Sequence, residues 1–297
     1  MAGATAKGKS VIFHPRNLIV LLALVILFFL RWKGILSHWS ILIVFIAALI
    51  VYYLVLPALA KKRLAEFEKQ LSILHLKGKS KEALAWYRKH LFMRAFGPPG
   101  DMKKLLGRCH AFLFNWESAR FAFSASLDAS GPLPDMATAA GYAEACFHTG
   151  YDREAERVMK SDAVKKIHLP HLAYYFMHLL LEDEKRIEGA MEKFKKIQWD
   201  EEKDRPVRLL TLAEIQAEEN KISAAADTLS RVDRKKLPAP LRPMARLLEA
   251  RILLMEGQQQ KAEKIIAELS RQSTAGRHVI EVEDFEEAFK ESKGVRP

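Results

Sequence analysis

Cysteine is scarce in this chain of 297 residues, which contains only Cys109 and Cys146. The two residues are 37 positions apart, no CxxC pair occurs, and no group of other metal ligands lies beside them. This pattern argues against a disulfide framework and against a cysteine-rich metal site. Both residues fall on predicted buried helix faces, where a free thiol behaves as a small apolar group.

Acidic residues are absent from the start of the chain, where the first one is Glu66. Residues 1–63 contain eight lysines and arginines, so this segment supplies most of the formal net charge of +11. The rest of the chain has 39 of the 47 basic residues and all 36 acidic ones, which is close to balance. Because the excess positive charge flanks apolar segments and forms no basic stripe with aromatic residues, the sequence predicts no nucleic-acid partner.

Two long apolar runs lie in the acid-free segment. The second run, WSILIVFIAALIVYYLVL over residues 39–56, is long enough to cross a bilayer core of ~30 Å as a helix. The first run, NLIVLLALVILFFL over residues 17–30, is shorter. It spans the core if residues 11–13 contribute and the flanking arginines Arg16 and Arg31 extend toward the headgroups. The lipid bilayer is therefore one predicted partner.

These runs predict a basic N-terminal tail over residues 1–16 and a two-helix membrane anchor over residues 17–60, with spans at about 17–33 and 39–57. A cleaved signal peptide is the alternative, but no small-x-small cleavage site follows Leu30 and a second apolar run begins soon after it. Lysines and arginines are more numerous before and after the anchor than in its turn. The positive-inside rule then places both chain termini in the cytoplasm of a bacterial-type inner membrane.

The rest of the chain contains an internal repeat, which is centred on alanine. Six short segments align on alanines that are 35 to 37 residues apart, namely Ala83, Ala119, Ala155, Ala190, Ala225 and Ala262. Four residues after each alanine stands a large apolar residue, namely Tyr87, Phe123, Met159, Phe194, Leu229 and Ile266. Residues four apart share one face of a helix, so each pair indicates a helix with a buried stripe.

Each unit also has features of a first helix and a turn. Twelve residues before the aligned alanines stand Leu71, Gly107, Ala143, His178, Ala213 and Ala250, four of which are small enough to let two helices approach closely. Prolines fall at the predicted start of the first helix in five units, at Pro99, Pro134, Pro170, Pro206 and Pro243. The predicted turns carry Gly78, Asn115, Gly150, Asp183, Asn220 and Gly257.

This pattern resembles the tetratricopeptide repeat (TPR) family, whose helix-turn-helix unit has a small residue at position 8, alanine at 20 and a large apolar residue at 24. The period here is one or two residues longer, and the usual tryptophan, glycine and tyrosine of the first helix are mostly missing, so a strict and a divergent TPR array both stay open. The resemblance implies an all-α fold: a transmembrane helical hairpin followed by a TPR-like α-solenoid of about six helix pairs over residues 61–275. Residues 276–297 are predicted to form a capping helix and a tail.

The resemblance also implies a groove that binds a protein or peptide, because the first helices of TPR units line a concave surface. The residues at the groove positions are Lys104, Arg108, Glu144, His148, Tyr175, Glu214 and Arg251. Their mixed charges suit a peptide or helix that carries both signs of charge and an aromatic anchor. Solvated groove residues without a dedicated ligand are the simpler interpretation.

Two other motifs suggest chemistry, and both have a plainer explanation. Residues 3–10 form a literal GxxxxGKS, but a phosphate-binding loop requires a preceding strand and a following helix, and here only two residues precede it. His168, His171 and His178 have a spacing that suits metal ligands, but Pro170 interrupts the helical register. The sequence therefore predicts no catalytic residues, no metal and no cofactor.

The expected function is accordingly that of a membrane-anchored adaptor or scaffold without catalytic activity. The family associated with haem biosynthesis is similar in combining a two-span anchor with a TPR array. A second hypothesis is a subunit of an envelope or secretion assembly, in which Ala47 and Ala48 form a contact face in the second span. A nucleotide-binding enzyme is a third hypothesis, supported by the GxxxxGKS match alone.

Overall fold

The protein is all-helical throughout the part of the chain that its structure, a computed structural model, describes. This part comprises residues 25–26, 29, 32–33, 38–129, 135–165, 168–182, 184–272 and 276–292, and no strand occurs in it. The all-α prediction is therefore confirmed. The chain divides into two compact units, residues 1–102 and 103–297. The basic tail with its GxxxxGKS segment, and nearly all of the first predicted span, lie outside the described residues.

One long helix dominates the first unit. It consists of α1 (His38–Ile50), a π-helical segment (Val51–Val55) and α2 (Leu56–Leu76), which follow each other without interruption. The part from Leu42 to Leu76 is long and apolar enough to cross a membrane, and its apolar window is not buried against the protein. No second helix among the described residues meets this condition. The described residues thus contain one candidate membrane helix, which corresponds to the second of the two predicted spans.

The long helix passes through the boundary that the sequence predicted at residues 60–61. Its 35 residues from Leu42 onward measure about 52 Å, which exceeds the ~30 Å of a bilayer core. The basic residues Lys61, Lys62 and Arg63 lie in the second half of the helix. Charged residues of this kind favour water without ending a helix, since lysine and arginine are good helix formers. The helix therefore continues past the end of the apolar segment with no break.

The π-helical segment precedes a proline inside this helix. Pro57 lies in the first turn of α2 and has no N–H to donate. Just before it, the N–H of Leu56 bonds the carbonyl of Val51, five residues back. A proline ring clashes with the carbonyl four residues before it, and a wider π turn relieves that clash. The helix therefore passes the proline without ending.

The remaining helices of the first unit pack against α2. They are α3 (Ser80–Lys89) and α4 (Leu91–Phe96), and the division between the two units falls within the next helix, α5 (Pro99–Ala111). The ring of Phe67 on α2 lies 4.6 Å from that of Trp86 and 6.1 Å from that of Tyr87 on α3. The Tyr87 hydroxyl donates a hydrogen bond of 2.9 Å to the carbonyl of Met102. Aromatic contacts therefore hold this helix pair together.

The second unit is built from helices that pack on their neighbours in the chain. Its helices are α6 (Trp116–Ala129), α7 (Met136–His148), α8 (Asp152–Met159), α9 (Asp162–Lys165), α10 (Pro170–Leu181), a 3₁₀ helix (Glu184–Gly189), α11 (Ala190–Lys196), α12 (Arg205–Glu218), α13 (Ile222–Ser230), α14 (Leu241–Met255), α15 (Gln259–Gln272) and α16 (Arg277–Ser292). Within a pair, α7 packs on α8, α12 on α13 and α14 on α15. Between pairs, α7 contacts α10, α10 contacts α12, and α12 contacts α14.

The aligned positions of the sequence repeat lie in the core. All six aligned alanines have 0% exposure, and the large apolar residues four positions later are 2% to 8% exposed. The small residues Gly107, Ala143, Ala213 and Ala250 are buried as well. Around Phe123 the fit is tight, since a Cβ atom at Gly107 would lie 2.8 Å from its ring and one at Gly141 would lie 2.6 Å from it. The small residues therefore make room for the large ones of neighbouring helices.

Several predicted turn residues adopt a left-handed backbone conformation, which ends one helix and starts the next. Gly78, Gly150, Gly257 and Asn220 have φ between 58° and 74°. At the turn predicted around Asn115 the left-handed residue is Phe114, and the Asn115 side chain accepts a hydrogen bond from the N–H of Ser118. Asn115 therefore caps α6 instead of ending the helix before it. Asp183 and Pro134 lie outside the described residues, whereas Pro99 and Pro170 are the first residues of their helices.

We predict that the fold depends on Phe123 far more than on Phe121 of the same helix. The Phe123 side chain is 2% exposed and packs against two glycines, whereas that of Phe121 is 66% exposed. Phe123→Ala should lower the free energy of unfolding by about 3–5 kcal/mol, because it leaves a cavity. Phe121→Ala should lower it by less than about 1 kcal/mol. Urea denaturation followed by circular dichroism measures both, and equal losses would contradict the packing described here.

Candidate functional site

The structure brings four of the seven predicted groove residues close together in the second unit. Glu144 and His148 lie on α7, Tyr175 on α10 and Glu214 on α12. The Tyr175 hydroxyl lies 3.0 Å from His148 Nε2 and 3.3 Å from a Glu144 carboxylate oxygen. Glu214 bonds the neighbouring residue His178. These side chains form what we call the inner polar cluster, together with Asp152, His178, Glu182, Arg277 and Glu281.

The other three predicted residues lie outside the inner polar cluster. Lys104 makes an ion pair of 3.3 Å with Asp135, and Arg251 makes one with Glu218. Arg108 is half-buried on α5. The positions predicted from the repeat therefore comprise one connected group and three separate side chains.

Arg277, the first residue of α16, is the main cation of the inner polar cluster. Its guanidinium bonds Glu182, contacts Asp152 at 2.6 Å through Nη1, and contacts Glu281 at 3.2 Å through Nε. The side chain is 7% exposed. Guanidinium groups are weakly hydrated and have several donors in a fixed plane, which suits contact with several carboxylates at once. Arg277 therefore joins α16 to the end of α10 and the start of α8.

His178 lies between two carboxylates and carries a proton on each ring nitrogen. Its Nδ1 donates to Glu214, and its Nε2 lies 3.1 Å from Glu281. Burial alone would lower the pKa of this histidine, but the charges of Glu214 and Glu281 outweigh it and hold the pKa well above its usual range. The positive charge of His178 in turn lowers the pKa of Glu281, against the opposing effect of burial. The three groups therefore form a buried ionic unit.

His148 has the opposite electrostatic character and is neutral. Burial lowers its pKa well below the usual value, and the neighbouring His278, His171 and Arg277 lower it further. Its Nδ1 accepts a hydrogen bond of 3.4 Å from the N–H of Arg277, which leaves the proton on Nε2 to be donated to the Tyr175 hydroxyl. That hydroxyl donates onward to Glu144. The network thus selects one tautomer of His148.

A cavity of about 400 Å³ lies beside the inner polar cluster, between the first helices of the pairs and α16. Its lining combines apolar side chains, carboxylates, two basic side chains and one phenol, namely Leu181, Met244, Leu247, Leu248, Phe285, Glu182, Glu214, Glu218, Glu281, His178, Arg251 and Tyr174. Glu214 is 4% exposed, and its Oε2 is buried without a hydrogen-bond partner. The hydroxyl of Tyr174, which also lines the cavity, interacts with the same carboxylate, and burial together with this negative charge raises the pKa of Tyr174 well above its usual value.

Three side chains of the inner polar cluster have donor atoms close enough for a metal ion, namely His178, Glu182 and Glu281. Arg277 already bonds both carboxylates, so its guanidinium supplies the positive charge at this place. The histidine trio considered from the sequence does not assemble. His168 bonds Asp204, the ring of His171 lies 6.0 Å from that of Tyr175, and only His178 joins the carboxylates.

Sequence reasoning missed Asp152, Glu182, Arg277 and Glu281 as members of this site. One signal was available, because His178 stands at a position where four of the other five units have a small residue. A large polar residue at a close helix contact indicates a local polar network. For the contacts of Arg277 with Glu182 and Asp152 the sequence offers no comparable signal, since these two partners lie 95 and 125 residues away.

Comparisons with known proteins identify no relative of the chain. No family model, no curated protein and no solved structure matches the chain.

We predict that His178 and His148 give the stability of the protein opposite pH dependences. The raised pKa of His178 means that its contribution is fully present below the unfolded value of about 6.5 and is lost as the pH rises through the folded-state pKa. The lowered pKa of His148 means that stability falls as the pH drops below about 6.5, where only the unfolded chain binds the proton. Urea denaturation of the wild type, His178→Gln and His148→Gln between about pH 5.5 and 9 measures both effects.

The difference in unfolding free energy between wild type and His178→Gln should shrink as the pH rises. The difference between wild type and His148→Gln should shrink as the pH falls. Each variant is thus the control for the other. Differences that change in the same direction with pH would contradict the protonation states assigned to these residues.

Proposed function

We propose that the chain is a membrane-anchored scaffold whose TPR-like helical repeats hold a partner protein at the cytoplasmic face of a bacterial-type inner membrane. In this proposal the N-terminal segments form a two-span anchor, the helix pairs form a TPR-like solenoid, and the inner surface of the pairs binds a protein segment. The chain itself carries out no catalysis.

The observation that carries the proposal is the uninterrupted helix from His38 to Leu76. Its first half is apolar and exposed to the surroundings, as required of a segment solvated by lipid. Its second half contributes Phe67 and Leu71 to the packing against α3. A chain built in this way fixes its first helix pair to the membrane through a continuous helix instead of a flexible linker.

The packing of the second unit supports the repeat character of the proposal. Each pair buries an alanine with 0% exposure, and each first helix contacts the first helix of the next pair from α7 to α14. Contacts restricted largely to neighbouring pairs are typical of helical repeat proteins, which present an extended inner surface to their ligands. Such surfaces commonly bind peptides or helices of other proteins.

A second candidate function is a structural subunit that packs against other membrane helices through its own anchor. One observation favours it: Ala47 and Ala48 are exposed on α1, next to each other on an apolar helix. Small residues let membrane helices approach closely when no apolar driving force is present. In this alternative the anchor, and not the repeat region, selects the partners.

The predicted topology is testable with reporter fusions to the full chain. Both termini should be cytoplasmic, because lysines and arginines are most numerous on the two outer sides of the predicted anchor. Green fluorescent protein should fluoresce at either end, and alkaline phosphatase should be inactive at either end. An active phosphatase at the C-terminus alone would show that the apolar region crosses the membrane once and that the two-span anchor is wrong.

Exchanging the anchors distinguishes the two candidate functions. Residues 1–60 are replaced by an unrelated two-span anchor, joined in helical register to α2, and partners are captured by cross-linking in membranes and identified by mass spectrometry. The scaffold proposal predicts that the exchanged protein keeps the partners of the wild type. In the reciprocal control, residues 1–60 are joined to an unrelated helical domain, and these partners should be lost. The reverse result would favour the membrane-packing subunit.

A further inference from the structure

Helix α16 lies on the first helices of the pairs and does more than cover the last pair. It contacts α14 and α15, which precede it in the chain, and it also contacts α7. Through Arg277 and Glu281 it reaches Asp152, His178 and Glu182, which are 95 to 125 residues away in sequence. A helix that only capped the array would need contacts with the last pair alone. The α16 segment therefore lies where the repeat resemblance places a ligand.

The contacts that α16 makes with α7, α8 and α10 are mainly polar. Arg277 and Glu281 contribute ion pairs, and His278 is buried beside them. The apolar side chains of α16 pack on different helices: Val282 and Phe285 contact residues of α14 and α15. Buried ion pairs gain little net free energy, because desolvation offsets most of their attraction, but they are selective for charge and geometry. Such contacts favour a specific but exchangeable occupant.

The surface beneath α16 has a surplus of negative charge. Without α16 it presents the carboxylates of Asp152, Glu182 and Glu214, with the cation His178 among them. A second cation of the cavity lining, Arg251, is paired with Glu218, so these two charges balance each other. The guanidinium of Arg277 meets two of these carboxylates. Charge complementarity therefore requires a basic group at this end of any occupant.

The α16 segment does not satisfy this surface completely. The cavity of about 400 Å³ remains beside it, with apolar walls from Met244, Leu247 and Leu248. Glu214 lines the same region beside Tyr174, and its Oε2 atom has no hydrogen-bond partner within normal distance and angle. An occupant with a donor for Glu214 and a larger apolar side chain for the cavity would fit better than α16.

We propose that this surface is the partner-docking site of the chain, and that α16 occupies it as an internal substitute for the partner. The partner is an amphipathic helix that presents a guanidinium to Asp152 and Glu182, a donor to Glu214 and an apolar side chain to the cavity. This inference rests on the scaffold function proposed above. Docking of the partner displaces the first turns of α16. In the free chain, α16 therefore covers the docking site and competes with the partner.

Hydrogen–deuterium exchange on the full-length wild type tests whether α16 is exchangeable. If α16 detaches by local opening, its amides should exchange at least about tenfold faster than those of α14, which exchange through global unfolding. The α14 amides are a suitable reference because seven residues of that helix are buried. Equal protection of α16 and α14 would show that α16 is a permanent part of the core and would overturn the proposal.

A labelled peptide of residues 276–292 tests the site itself. Its affinity for the full-length Arg277→Ala variant should be at least about tenfold higher than for the wild type, because the internal helix no longer competes effectively. A peptide in which alanine replaces Arg277 should not show this higher affinity for the Arg277→Ala variant. Arg246→Ala is the matched control, since it removes an arginine that pairs with Glu249 and Glu268 instead of the inner polar cluster. This control should change the affinity less than about twofold.

The possible results separate the two proposals. If Arg277→Ala fails to unfold cooperatively, or binds the peptide no better than the wild type, α16 is structural and the docking site proposed here is wrong. Arg277→Lys, which keeps the charge but loses the planar fork, should show an intermediate gain in affinity. If the docking-site proposal fails, partner capture by the anchor-exchanged protein would still support the scaffold function, and the docking site would then be a different surface.

Discussion

The close approach of paired helices at fully buried alanines is the constraint on which the rest of the fold depends. Ala155, Ala190 and Ala225 have no solvent exposure, and neither do their counterparts in the other three units. A methyl group at this position lets the second helix lie against its neighbours, and a larger side chain would force the helices apart. The large residue four positions later then reaches across, as Phe123 does toward Gly107 and Gly141. One small residue in each helix pair thus determines how closely the two helices of that pair pack.

This packing has a consequence for the polar side chains of the first helices. The apolar stripe of each helix is used within and between the pairs, so residues such as Glu144, Tyr175 and Glu214 gather on the remaining side. Buried ionic groups need partners, because removing them from water without compensation is costly. Arg277 and Glu281 of α16 provide those partners from the far end of the chain. The inner polar cluster is therefore completed by a segment outside the repeats.

In the first unit a single helix joins an apolar, exposed segment to packed helices. Across the long helix the exposed residues change from leucine, isoleucine and valine to lysine, glutamate and glutamine near Lys61. Only the exposed side chains change there, since the helix continues and a π turn passes Pro57. The sequence shows this transition as a change of composition near residues 60–61, and the helix continues across it.

The amino-acid sequence by itself determined the helical class, the burial of the aligned alanines and most of the turns, because each depends on residues within one or two helical turns of each other. Gly78, Asn220 and Gly257, for example, identify their turns locally. Among the predicted groove residues, Glu144, His148, Tyr175 and Glu214 share a cluster because α7, α10 and α12 pack side by side, whereas Lys104 and Arg251 pair elsewhere. Only the tertiary structure decided that Arg277 meets Asp152 and Glu182, since this contact requires the intervening helix pairs to be stacked before the two ends can meet.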